Sequence, residues 1–202
     1  MAEMQRLHPA LRLRLTLFED PVQLRPEGWD LLVHVGPLTD SRLRLRRLAP
    51  NRRILCAAPA YVARHGTPDR PEALRDHACA VIRENQADVT LWRFRGPDGT
   101  AVAQRIQPAL SSNDGSVIRD WGLAGAAIIL RSEWDVAGDL AAGRLVPLLP
   151  GWQPPEADVV ALLGEGGARA ARTSRFLALL QAQLSPPPWR SGLPPSAGPL
   201  LA

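Results

Sequence analysis

Proline and glycine interrupt this chain so often that it has no room for long helices. The 202 residues include 20 prolines and 16 glycines. The longest nearly apolar run, 121–130, is far shorter than the roughly 18 residues that a membrane span needs. Between the breaks lie short apolar runs typical of strands and short amphipathic stretches typical of helices. This alternation predicts an α/β protein with mainly parallel sheets.

The clearest helix begins near residue 113. Asn113 or Asp114 can accept hydrogen bonds from its first amides, apolar residues follow at helical spacing, and Gly125 ends it. Beyond a short strand, Ser132 resembles the first residue of a weak capping box and predicts a second helix that runs to Ala142. The two helix starts are the most specific local signals in the chain.

The remaining elements follow from periodicity and from the positions of proline and glycine. Strands are predicted at 11–18, 31–35, 43–48, 53–58, 92–95, 100–106, 127–130, 144–149 and 158–163, and helices at 59–65, 71–77 and 172–184. In the first strand every second residue from 11 to 17 is leucine, which gives it one apolar face and one basic face. The run 31–35, broken only by His34, is typical of a buried parallel strand. The proline-rich tail, 185–202, is predicted to be disordered.

The basic balance of the chain does not by itself indicate nucleic-acid binding. The formal net charge is +4, but all 24 basic residues are arginine, as in proteins with high-GC codon usage. Arg6, Arg12 and Arg14 stand where a secretory signal needs an unbroken apolar stretch. Cys56 and Cys79 are best interpreted as reduced, buried thiols, with a disulfide between them as the alternative. A cytoplasmic protein is therefore expected.

Catalytic and cofactor signatures are absent from the sequence. Nucleophile-elbow, phosphate-loop and zinc-protease motifs do not occur, and the 4 histidines have no metal-ligand spacing. The glycine-rich run 164–167 lacks the third glycine of a dinucleotide fingerprint and is interpreted as a turn. His34 is interpreted as a hydrogen-bonded core or cleft-edge imidazole rather than a general base. No enzyme, metal or cofactor is expected.

A series of blocks, in order and with similar spacings, resembles the effector-binding domain of LysR-type transcriptional regulators. The resemblance covers about residues 6–184. Its blocks are 30–41 (DLLVHVGPLTDS), 46–50 (RRLAP), 53–66 (RILCAAPAYVARHG), 71–77, 92–94 (WRF), 112–115 (SNDG), 123–125 (LAG), 133–134 (EW), 139–146 (DLAAGRLV) and 149–152 (LPGW).

The resemblance implies a two-lobed α/β fold like that of the type II periplasmic binding proteins, with two crossing strands. Lobe one takes residues 1–55 and 155–184, and lobe two takes residues 56–154. The pattern of the chain brackets the lobes in the same way, because the strand predictions at 53–58 and 158–163 enclose its middle stretch. Small molecules bind in the cleft of such proteins.

The expected ligand-binding residues face this cleft from both lobes. They are Gly36, Pro37 and Leu38 in lobe one, and Ser112, Asn113, Asp114, Arg131 and Ser132 in lobe two. The helix start at 113 favours a carboxylate or similar group. Arg131, where the family commonly has proline, is interpreted either as an anion ligand or as a solvent-facing side chain. Asn113 and Asp114 are interpreted either as ligand residues or as helix caps.

The function implied is to sense a small, anionic or polar effector and so to modulate transcription by a homodimer. Family dimers form through strands and helices of opposite lobes. DNA is expected to be bound through a winged helix-turn-helix that this chain does not contain, and the first strand and helix of lobe one are also missing. An open sheet edge in lobe one is therefore expected. The alternative is a solute-binding protein of the same fold that does not bind DNA.

Overall fold

The computed structural model describes residues 1–17, 29–36, 44–83, 89–164 and 170–190. Its helices are α1 (Ala2–Leu7), α2 (Pro59–His65), α3 (Gly115–Leu123), α4 (Glu133–Ala141) and α5 (Ala171–Gln183), with 3₁₀ helices at Pro71–Asp76 and Pro188–Arg190. Its strands are β1 (Leu31–Val35), β2 (Arg44–Ala49), β3 (Arg53–Ala57), β4 (Cys79–Ile82), β5 (Leu91–Arg95), β6 (Ala101–Arg105), β7 (Pro108–Ser112), β8 (Ile128–Ser132), β9 (Val146–Pro147) and β10 (Val159–Leu163). Among the described helices none is long and apolar enough to cross a membrane.

The chain forms two compact units. Unit 1 takes residues 1–50 and 158–186, and unit 2 takes residues 51–157 and those from Pro187 onward. The chain therefore passes from unit 1 to unit 2 between residues 50 and 51, and returns to unit 1 between residues 157 and 158. Both points lie a few residues from the predicted lobe boundaries at 55 and 155. The two strands predicted as crossings follow these passages, and each belongs to the sheet of one unit: β3 to unit 2 and β10 to unit 1.

Unit 2 is built on a five-stranded mixed sheet of order β7-β4-β8-β3-β9. Strand β4 runs parallel to β7 and β8, whereas β3 runs antiparallel to β8 and β9. The sheet of unit 1 and the β5–β6 hairpin are antiparallel as well. The α/β class is confirmed, but the prediction of mainly parallel sheets is wrong. Short apolar runs have the same composition in both kinds of sheet, so composition could not reveal strand direction.

The core of unit 2 occupies both faces of its sheet. Successive side chains of a strand point to opposite faces, and the buried residues of the central strands divide accordingly. One cluster contains Leu55, Tyr61, Cys79, Trp92, Phe94, Ile106 and Ile128. The other contains Cys56, Ala80, Ile118, Ile129, Val136 and Leu145, through which α3 and α4 pack on the sheet. Cys56 and Cys79 are buried and are not joined by a disulfide, as predicted.

Unit 1 is built on a three-stranded sheet of order β1-β10-β2, on which α5 packs. Strand β10 is central and its residues from Val159 to Leu162 are buried. Helix α5 buries Thr173 and Leu177. The prediction for β1 was correct in its bounds but wrong in its environment. The strand is antiparallel, lies at an edge of the sheet that the described residues form, and leaves Val33 46% exposed.

The strand predicted at 11–18 is not formed over its described part, residues 11–17. Leucine alternation gives a segment two unlike faces, but a strand also needs a neighbour to bond its backbone. No such neighbour lies beside 11–17 among the described residues. Residue 18 lies outside the described residues.

The described part of the tail that was predicted to be disordered contains regular structure. The chain returns from unit 1 to unit 2 after Pro186. There Pro188–Arg190 forms a 3₁₀ helix beside α4. Arg190 donates to Glu133 Oε2 from Nε at 3.1 Å and from Nη2 at 2.9 Å. Glu133 is 1% exposed, so this ion pair fixes the tail on unit 2. Over residues 188–190 the prediction of disorder is wrong, because proline-rich composition does not reveal a distant ionic partner. Residues 191–202 lie outside the described residues.

Candidate functional site

Two helices of unit 2 begin where strands end, and the predicted ligand residues of this unit lie at these junctions. Strand β7 ends at Ser112 just before α3, and β8 ends at Ser132 just before α4. A helix start presents unpaired N–H groups and the positive end of the helix dipole. Each junction could therefore bind an anion, unless oxygen atoms of the chain itself already accept hydrogen bonds from these N–H groups.

The α3 junction is capped by Asp114. Its Oδ1 accepts from Ser116 N at 2.8 Å and from Ser116 Oγ at 2.6 Å. The backbone N–H of Asp114 donates in turn to Ser112 Oγ at 3.0 Å. The hydrogen bond from the Ser116 hydroxyl, with that from its amide, lowers the pKa of Asp114. Asp114 is thus confirmed as a helix cap; Asn113, beside it, is exposed.

Arg131 belongs to β8, but its guanidinium reaches the α3 junction. It is 8% exposed, so the interpretation of a solvent-facing arginine is wrong. Its Nε donates to Asp135 Oδ2 at 2.8 Å, across the start of α4. The guanidinium lies against the backbone of Gly115, where a Cβ would be 2.9 Å from Cζ and would overlap the terminal nitrogens. Residue 115 must therefore be glycine for Arg131 to lie where it does.

We call Arg131, Asp135, Asp114 and Gly115 the Arg131 cluster. Asp135 holds the guanidinium through Nε, while Nη1 and Nη2 donate to no residue in the described part of the chain. A buried arginine normally uses more of its five donors than this. The two terminal nitrogens form a planar fork that matches the two oxygens of a carboxylate.

The side chains of the cluster carry a formal charge of −1, from one arginine and two aspartates. Asp135 pairs with Arg131, and the positive charge of Arg131 contributes to lowering the pKa of Asp114. The dipole of α3 adds roughly half a positive charge at the junction. An anion would therefore be held by directed hydrogen bonds more than by net charge.

The α4 junction has its donors satisfied by distant residues. Ser132 is the N-cap residue, but its side chain makes no capping hydrogen bond, so the capping-box prediction is wrong. Instead the N–H of Glu133 donates to Arg52 O at 2.8 Å, and that of Trp134 donates to Asn51 Oδ1 at 3.3 Å. Asn51 lies 83 positions away in the sequence, where no local pattern could have identified it.

The predicted lobe-one residues belong to unit 1. Gly36 has φ +110° and donates its N–H to Asp158 O at 3.0 Å. Its positive φ suits glycine, so the turn prediction after β1 is consistent with this backbone. Pro37 and Leu38 lie outside the described residues. A ligand role for these three residues stays a prediction.

No other chemistry is assembled in the described residues. Burial raises the pKa of Cys56 and that of Cys79 to about 12, which leaves both thiols protonated and unreactive at neutral pH. Within the described ranges no three histidine, cysteine or acidic side chains are placed to hold a metal ion.

The chain belongs to the LysR substrate-binding domain family. The model of that family, described as LysR substrate binding domain, matches residues 1–185. The match covers both units, and the two-lobed α/β fold expected from the resemblance is the fold of this family.

Curated relatives of the chain are bacterial regulators. It is 38% identical over 148 residues to the HTH-type transcriptional regulator DmlR of Escherichia coli K12. These residues are 73% of this chain and 48% of that regulator. It is 32% identical over 148 residues to the HTH-type transcriptional regulator CrgA of Neisseria meningitidis serogroup B, with the same shares of 73% and 48%. The chain thus spans about half the length of these relatives.

Solved structures of the family have the same fold. The CrgA regulatory domain from Neisseria meningitidis superposes with a TM-score of 0.77 at 29% identity, covering 91% of this chain and 89% of that one. The full-length virulence activator AphB of Vibrio cholerae superposes with a TM-score of 0.77 at 22% identity, covering 90% of this chain and 61% of that one. The second likeness concerns the fold alone.

Proposed function

We propose that this chain is the effector-sensing part of a cytoplasmic LysR-type transcriptional regulator. Its ligand is a small metabolite whose carboxylate binds at the Arg131 cluster. Family membership and the regulators among its relatives support this function over that of a solute-binding protein. No catalytic step is proposed.

One observation carries the ligand assignment: a buried arginine at a helix start whose two terminal nitrogens donate to none of the described residues. Asp135 fixes the guanidinium through Nε, so little side-chain entropy remains to be lost when a carboxylate binds Nη1 and Nη2. Ser112 and Ser132 stand at the two junctions beside the cluster and are proposed as further hydrogen-bond partners. Gly36, Pro37 and Leu38 are proposed as the contribution of unit 1.

The regulatory step follows from thermodynamic linkage. A metabolite changes the promoter binding of a homodimer only by its difference in affinity for two arrangements of the protein. The proposed DNA-binding part is the winged helix-turn-helix expected in full-length members of the family. This chain supplies the half of the mechanism that senses the metabolite.

Arg131→Lys is expected to weaken carboxylate binding about tenfold to a hundredfold. Lysine keeps the charge but loses the planar fork, and each hydrogen bond to a charged group contributes about 1.5–3 kcal/mol. Calorimetric titration with a panel of mono- and dicarboxylic acids, each paired with its uncharged amide, measures the effect. Because the cluster carries no net positive charge to attract an anion over a distance, affinity is expected to depend weakly on salt.

A control variant and a second test variant accompany that titration. Arg93→Lys changes an exposed arginine of β5 and is expected to leave the affinity unchanged. Gly115→Ala pushes the guanidinium away and is expected to weaken binding without changing any charge. An affinity insensitive to Arg131→Lys contradicts the role of Arg131, and amides that bind as well as the acids contradict an anionic ligand.

A further inference from the structure

The first turn of α4 has no side-chain cap of its own. Ser132 makes no capping hydrogen bond, and the first two amides of the helix donate instead to Arg52 O and to Asn51 Oδ1. A helix end without a local cap is less stable unless distant groups hold it. The position of this turn therefore depends on contacts with other segments of the chain.

Glu133, the first residue of α4, makes the strongest of these contacts. Its carboxylate is buried, and an arginine faces each of its oxygens. Arg52 Nε lies 3.3 Å from Oε1, and Arg190 donates to Oε2 from Nε at 3.1 Å and from Nη2 at 2.9 Å. A buried carboxylate that loses one such partner keeps a charge that is not fully compensated. Arg190 thus contributes directly to fixing the start of α4.

Arg190 reaches Glu133 from a short segment, residues 187–190, which we call the docked segment. Within it a hydrogen bond from Arg190 N to Pro187 O at 3.0 Å closes the 3₁₀ helix that lies beside α4. The indole Nε1 of Trp189 is buried, so its ring packs against the protein. The arginine is therefore presented to Glu133 by a structured segment.

The same turn of α4 carries Asp135, which holds the Arg131 guanidinium. Asp135 Oδ2 accepts from Arg131 Nε at 2.8 Å, and both side chains are largely buried. Glu133 and Asp135 lie two residues apart in one helical turn, so a shift of the turn moves both carboxylates together. The guanidinium also lies against the backbone of Gly115 and has little room to follow a shifted partner. A displaced first turn would therefore break the hydrogen bond that orients Arg131.

We propose that the docked segment positions the proposed carboxylate site, with Arg190 as the positioning residue. Arg190 holds Glu133 and, through it, the first turn of α4. Asp135 in that turn then holds Arg131, while Arg190 itself contacts no ligand. The effect on affinity rests on the proposed function of Arg131, whereas the effect on the orientation of Arg131 does not. By linkage, a carboxylate bound at Arg131 in turn stabilises the docked segment.

Arg190→Gln tests the orientation of Arg131 without any ligand. The Nε–H of Arg131 gives its own NMR signal, which is assigned by its loss in Arg131→Lys. Burial and the hydrogen bond to Asp135 slow its exchange with water. Arg190→Gln is expected to raise this exchange rate about tenfold or more. Arg190→Lys, which keeps the charge, is expected to restore part of the protection.

Arg144→Gln is the matched control at the other end of α4. It removes one of the two arginines that bind the buried Asp139, as Arg190→Gln removes one of the two that bind Glu133. Urea unfolding is expected to show a loss of stability in both variants. Exchange of the Arg131 Nε–H is expected to accelerate only in Arg190→Gln. Equal acceleration in both variants, or none in Arg190→Gln, overturns the proposal.

Calorimetric titration measures the consequence for binding, with succinate and its uncharged diamide or with whichever acid of the panel binds more tightly. Arg190→Gln is expected to weaken binding of the acid about fivefold or more, and Arg144→Gln to leave it unchanged. The acid is also expected to slow exchange of the Arg190 amide. An unchanged affinity in Arg190→Gln overturns the proposed positioning of the site. If no acid binds better than its amide, the ligand role of Arg131 fails, and the exchange experiment without ligand still decides whether Arg190 positions that side chain.

Discussion

Replacing Asp139 by asparagine is expected to lower the free energy of unfolding by about 3 kcal/mol, because it leaves a buried network without its anion. Asp139 is fully buried in α4. Its Oδ2 accepts from Arg119 Nε at 2.6 Å, and its Oδ1 accepts from Arg144 Nε at 2.8 Å and from Nη2 at 2.6 Å. One carboxylate therefore ties α3, α4 and the segment before β9 together.

The same carboxylate makes the stability of the chain sensitive to acid. Burial by itself raises the pKa of Asp139, but the hydrogen bonds from Arg119 and Arg144 outweigh it and hold the pKa below the ordinary value of 3.8. A lowered folded-state pKa means that the contribution is complete above the unfolded value and is lost as the pH falls through the folded one. The stability difference between the unaltered chain and Asp139→Asn is therefore expected to shrink as the pH falls below about 4.

Urea unfolding at pH 7 and at pH 3 measures both effects. Asp120→Asn is the matched control, because Asp120 is exposed on α3 and a surface change of this kind costs less than about 0.5 kcal/mol. Equal losses for the Asp120 and Asp139 variants at pH 7 would show that the network does not stabilise the fold. A difference for Asp139→Asn that stays constant down to pH 3 would contradict the lowered pKa.

Local sequence signals predicted the helices and strands of this fold better than they predicted which strands pair with each other. Helix α2 begins at Pro59 and ends before Gly66, as predicted from these two residues. The prediction was possible because proline and glycine each restrict or permit backbone conformations at their own position, whatever lies around them. Strands β4 and β7 were missed, and 11–17 was predicted as a strand that is not formed. A strand depends on a neighbour far away in the sequence, and nothing within the segment specifies that neighbour.

The candidate site divides in the same way. Asp114 was predicted as a cap from its place before an amphipathic stretch, and the cap is confirmed. The environment of Arg131 was not predicted, since its burial depends on β8 lying beside β3 and on the closeness of Gly115. The ion pair with Asp135 has i,i+4 spacing, a signal available in the sequence but obscured by the strand–helix junction between the two residues.

The second large effect is expected where α3 crosses β8. Ile129 is fully buried in the cluster beneath α3, and Ile129→Ala is expected to cost about 2–5 kcal/mol through lost burial and a cavity. Gly122 lies directly over it, and a Cβ there would be 2.5 Å from Ile129 Cδ1. Gly122→Ala is expected to cost about 1–3 kcal/mol, because overpacking outweighs the better helix propensity of alanine.

The two changes are expected to compensate when combined. Ile129→Ala removes the atoms that the new methyl group would strike, and that methyl group fills part of the cavity. The double variant is therefore expected to lose about 1–3 kcal/mol less than the sum of the single losses, as measured by urea unfolding in a double-mutant cycle. Gly138→Ala in α4 is the matched control: no atom lies within 4 Å of its Cβ position, so alanine is expected to stabilise the helix by about 0.5–1 kcal/mol. Strict additivity of the two core changes would mean that α3 shifts away from β8 to admit the methyl group, and the close approach at Gly122 would then not be what fixes the helix on the sheet.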